Sequence, residues 1–117
     1  MTDPSWVEQA RVVLAQIDRG EPPAREDQRA AVKASLAALV ARAPGRSVEV
    51  RVPPFAAVQV VEGSKHRRGT PPAVVETDPV TWLALALGSV SWRQAVSSGR
   101  VRASGERSDL SGLLPLI

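Results

Sequence analysis

The sequence predicts a small α+β domain, and three features of it carry that prediction. Apolar residues recur at helical spacing between Trp6 and Ala43. Strict two-residue alternation takes over in Ser47–Val52, the signature of a half-buried strand. An almost uninterrupted apolar run, Val80–Leu87, then follows an Asp-Pro step and stops at Gly88. At 117 residues the chain has the length of one domain. A chain of that size buries roughly two-thirds of its unfolded surface, enough for a core without metal or disulfide staples.

The elements follow in order. Asp3-Pro4 is read as a helix start, with Asp3 as the N-cap and Pro4 in the first helical position. Trp6, Val7, Ala10, Val13, Leu14 and Ile17 form its apolar stripe, and Gly20-Glu21-Pro22-Pro23 stops it. A second helix is expected from about Arg25 to Ala43, with Val32, Leu36, Leu39, Val40 and Ala43 on one side. Val48, Val50 and Val52 then share one face of the first strand. Pro53-Pro54 interrupts, and Phe55–Val61 resumes as a second strand, more apolar and expected to be the more central. Gly63–Pro72 is a loop rich in Gly, Pro and basic residues, and Ala73–Glu76 a third short strand. Thr77-Asp78-Pro79 opens the apolar helix, which should be buried on more than one side. Ser91 with Gln94 three residues on makes a capping box for a short helix ending near Gly99. Arg100–Ser104 is a strand, and Asp109–Leu114 a last helical turn. The expected division is an N-terminal helical extension, residues 1–24, and an α/β domain, residues 25–117, forming one globular unit.

Composition excludes several functions. With no Cys there are no disulfides, thiolate metal sites or thiol nucleophiles. The N-terminus has no basic segment followed by an apolar run, and no stretch is long enough to cross a bilayer, so a cytoplasmic location is expected. The net charge is only +3, and the basic residues are spread along the chain rather than gathered on one face, which argues against nucleic acid. His66 is the sole histidine, without a Gly-x-Ser-x-Gly elbow or a sequence-near carboxylate to orient it. One imidazole and scattered carboxylates do not make a metal site. No enzymatic chemistry and no cofactor are expected.

The segment VVETDPVTWLALALGSVSWRQAVSSGRVRASGERSDLSGLLPL, beginning at Val74, resembles the end of sterol carrier protein type 2 domains, more closely their small actinobacterial relatives. The ordered elements are the polar step Thr77-Asp78, the apolar helix Leu83–Leu87, Gly88, Ala95, Ser98-Gly99, the basic strand Arg100–Ala103 and Gly105-Glu106. The resemblance extends over Asp27–Ile117 and leaves the first helix outside. It implies a twisted, mainly antiparallel sheet of four to five strands with helices over one face and an apolar tunnel between them. It also implies non-enzymatic binding of fatty acids, acyl-CoA, sterols or phospholipids. The chain departs from larger members in its short strands and in ending soon after Leu113-Leu114, so its pocket is expected to be small or filled by its own side chains.

On that reading Val75, Trp82, Leu83, Ala86, Leu87, Val96, Leu113 and Leu114 line an apolar cavity. The simpler reading is that they are core, and composition does not separate the two. Lys65, Arg67 and Arg68, in the loop between Gly63 and Gly69, are candidates for contact with an anionic head group or a membrane surface. The simpler reading there is a solvated connection. A second functional class stays open: an interaction module with a closed, ligand-free core. In that case the first helix docks on a partner or a second copy, with Trp6 as its anchor.

Overall fold

The computed structural model describes residues 3–63 and 73–117. Two helices come first, α1 (Ser5–Asp18) and α2 (Arg25–Arg42). Three strands follow: β1 (Val48–Val52), β2 (Ala56–Val60) and β3 (Ala73–Thr77). Then come α3 (Pro79–Leu87), α4 (Trp92–Ser97) and β4 (Val101–Ser104).

The four strands form one mixed sheet in the order β2-β1-β3-β4. β1 pairs antiparallel with β2 and parallel with β3, and β3 pairs antiparallel with β4. The alternation anticipated in β1 fixes which face is which. Val48, Val50 and Val52 are fully buried, and their register partners Val60, Ala73 and Val75 are buried with them. On the opposite face Arg51 is exposed and its Nε donates to Glu49 Oε1 at 2.7 Å. That bond, together with the nearby carboxylate charge, raises the Arg51 guanidinium above its ordinary pKa.

β2 lies at the sheet edge, not at its centre as its apolarity suggested. Its apolar residues Ala56, Val58 and Val60 face inward beneath α2, whereas Ala57 and Gln59 are exposed. Coverage by a helix, not flanking by two strands, accounts for the composition. α2 runs alongside β2 in the same sense. The Arg25 guanidinium stands over the Phe55 ring at one end, 5.5 Å from its centroid, and Ala43 O accepts from Val61 N at 2.7 Å at the other. Gly45 is required at that closure, since a Cβ there would collide with the Val61 carbonyl group.

α1 packs on α2 and α3. Trp6, Val7, Ala10 and Val13 belong to the same buried cluster as the sheet valines, and Ile17 is exposed. Trp6 is thus an internal residue here, not a free anchor. The start of α1 also differs from expectation. Its N-cap is Pro4, with no side-chain cap, and the Asp3 carboxylate instead accepts from Arg11 Nη1 at 3.2 Å.

Candidate functional site

The apolar helix α3 is positioned by strong signals at both ends. Asp78 Oδ2 accepts from Thr81 N at 2.9 Å and Oδ1 from Thr81 Oγ1 at 2.6 Å, so both oxygens of the cap are used. At the other end Gly88 adopts a left-handed conformation, φ 81°, and Ser89 N donates to Ala84 O at 2.8 Å. Between these ends Thr81, Trp82, Leu83, Leu85 and Ala86 are buried, while Val80, Ala84 and Leu87 are half-covered.

The space between α3, α2 and the sheet is occupied by the protein's own side chains. Trp82 is 1% exposed, and its Nε1–H donates to Ser35 Oγ at 2.9 Å. Ser35 in turn donates to backbone carbonyls of its own helix, Ala31 O at 2.6 Å among them. A polar bridge therefore joins α2 and α3 inside an apolar cluster, with the indole's one donor satisfied. Leu83, Ala86 and Val75 pack in the same cluster.

A C-terminal strap, residues 109–117, closes this assembly from one side. Asp109 Oδ1 accepts from Ser111 N at 2.9 Å, which holds the carboxyl below the usual carboxylate range. Arg42 Nη1 donates to Leu113 O and to Pro115 O, each at 2.8 Å. Leu116 N donates to Ala86 O at 2.9 Å, satisfying one of the free carbonyls at the end of α3. Leu113, Leu114 and Leu116 lie half-buried against the core.

The structure thus gathers seven of the eight residues expected around an apolar cavity: Val75, Trp82, Leu83 and Ala86 inside, with Leu87, Leu113 and Leu114 around them. Val96 is the correction. It is 39% exposed, because Ala95 is the residue of α4 that faces inward and the next position is turned about 100° away. Lys65, Arg67, Arg68 and His66 lie outside the described residues. Sequence reasoning missed Ser35 and Arg42. A lone serine on the Val32–Leu36–Leu39 side of α2 was a readable signal, whereas nothing near Arg42 in sequence announces a carbonyl seventy residues away.

A separate groove of about 750 Å³ opens on the other side of α3, lined by Ala84, Ser89, Val90, Arg93, Gln94, Ser97, Ser98 and Arg100. A smaller depression of about 340 Å³ adjoins it through Arg100 and includes Glu76, Asp78 and Arg102. Neither contains any of the expected cavity residues. Among the described residues no group of three or more His, Cys, Asp or Glu could hold a metal ion. No helix among them is long and apolar enough to cross a membrane.

Compared with known families, residues 24–116 match the family described as "Bacterial SCP ortholog". The matched span begins just before α2, so α1 precedes it. No curated protein matches the chain.

Proposed function

This chain belongs to the family of bacterial orthologs of the sterol carrier protein, and we propose that it is a non-enzymatic carrier of an apolar ligand. The ligand class is a fatty acid, acyl-CoA, sterol or phospholipid, held between α3 and the sheet. One observation supports the location above all. The strap 109–117 lies over the end of α3 on half-buried leucines, fastened by Arg42 and by the Leu116–Ala86 bond. Lifting it uncovers Leu87 and the end of the apolar helix without breaking a strand or a helix. An alkyl chain entering there gains about 0.8 kcal/mol for each methylene it buries, which offsets the lost leucine contacts.

A second reading is favoured by one specific contact. Trp82, bonded to Ser35, fills the middle of the interior, as expected of a module whose core is closed and whose surface serves a protein partner.

Native mass spectrometry of freshly purified full-length protein, followed by organic extraction, separates the two. A stoichiometric adduct that extraction removes is the expected result and names the ligand class. A clean mass that stays clean after incubation with fatty acids, acyl-CoA and sterols would put the closed module first.

A further inference from the structure

We infer that the groove between α3 and α4 is a binding site for an anionic amphiphile. Its carboxylate or phosphate sits between Arg93 and Arg100, and its first alkyl carbons lie on Ala84 and Val90. This goes beyond the carrier reading, because the groove is on the opposite side of α3 from the interior and is complete whether or not that interior opens.

The chain brings the two arginines together by a short reversal. Arg93 lies in the first turn of α4, and Gly99, at φ 79°, closes the helix so that Arg100 N donates to Ala95 O at 3.0 Å. Both side chains then line one groove. Arg100 Nε donates to Ser98 Oγ at 3.0 Å, which orients the guanidinium and leaves its terminal nitrogens free for a ligand. Neither arginine has an ion pair among the described residues, and no carboxylate lines the groove. The nearest acids, Glu76 and Asp78, line the adjoining depression, and both oxygens of Asp78 are engaged by Thr81.

The remaining polar groups select charge. Ser97 Oγ donates to Arg93 O and Ser98 Oγ to Ala95 O, so their protons are already used. Gln94 is held in the capping box by Ser91. Gln94 keeps its side-chain N–H groups and Ser89 its hydroxyl as neutral donors, and the guanidinium groups are the charged donors of the groove, matching carboxylate and phosphate oxygens in fork geometry. The floor supplies the apolar half of the match. Ala84 and Val90 come from an apolar helix and its exit, on the side the rest of the protein covers only in part. A volume of about 750 Å³ falls in the range of small-ligand sites.

The test is an amide-resolved NMR titration of the full chain with decanoate, decyl phosphate, decanol and inorganic phosphate, each below its aggregation concentration. The two anionic amphiphiles are expected to shift amides at 89–90 and 93–100 and to bind more tightly than decanol or inorganic phosphate. The tighter of the two identifies the head group as carboxylate or phosphate. The double variant Arg93→Gln/Arg100→Gln should weaken both by about tenfold or more. Shifts confined to other regions, equal affinity for decanol, or a folded double variant within about twofold of the parent would overturn the site. Should the variant not fold, the map on the parent protein decides alone. Failure of the carrier reading shows differently, as decanol leaving the amides of residues 82–87 and 113–116 unmoved.

Discussion

Helix α3 meets the rest of the protein differently on its two apolar sides. The side carrying Trp82, Leu83 and Ala86 is closed by α1, α2, the sheet and the strap, with one internal hydrogen bond to satisfy the indole. The side carrying Val80 and Ala84 is only half covered, and two arginines border the groove that Ala84 lines. Both sides look alike in composition. One contributes chiefly to stability, whereas the other leaves apolar surface beside arginines that have no ion pair among the described residues. A helix with no polar face can therefore bury one side in the core and leave another half open to solvent.

The contrast can be broken by substitution. Trp82→Ala removes the largest buried side chain of the closed side and should cost about 3–5 kcal/mol in urea unfolding, a large share of what such a domain has. Ala86→Leu overfills the same side and should cost about 1–3 kcal/mol. Ala84→Leu, the identical change two residues earlier, should stay within about 0.5 kcal/mol. Equal costs at 84 and 86 would mean the two sides are packed alike. Ser35→Ala leaves the Trp82 N–H buried without its acceptor, at a cost of about 1–3 kcal/mol. A red shift or quenching change in tryptophan emission should accompany it.

The smallest effect concerns acid and bears on the strap. Because Ser111 lowers the Asp109 pKa in the folded protein, that carboxylate stabilises the strap at pH values above the ordinary aspartate range. The contribution is lost as pH falls through the lowered folded-state value. Amide exchange at 111–116 should therefore become less protected below about pH 4, relative to an Asp109→Asn control. Identical acid profiles for the two proteins would remove Asp109 from the account.

Much of the architecture was legible because it is written in short-range chemistry. Ser91 and Gln94 form both bonds of the expected capping box, and Asp78-Pro79 starts α3 as read. The same dipeptide at Asp3-Pro4 shows the limit. There the residue three positions on is Trp6, which has no hydroxyl to pair with the carboxylate, and Arg11 takes Asp3 instead. Val96 was misplaced because a helix of six residues is too short for its periodicity to set a phase. β2 was misplaced because apolarity reports burial without saying whether a strand or a helix provides it. The groove was illegible for another reason. Arg93 and Arg100 acquire a common role only when Gly99 folds one back beside the other.

The strand order has a consequence for the connection between β2 and β3. β2 ends, and β3 begins, at the same end of β1, since Val60 and Ala73 both sit opposite Val48. The chain has only to step across one strand, a distance of about 9.5 Å. The nine residues 64–72 between the described segments could reach roughly 30 Å if extended. The topology asks for about a third of that reach. Shortening the connection by several residues should leave the sheet able to close, so Lys65, Arg67 and Arg68 stand on chain length that the architecture itself does not require.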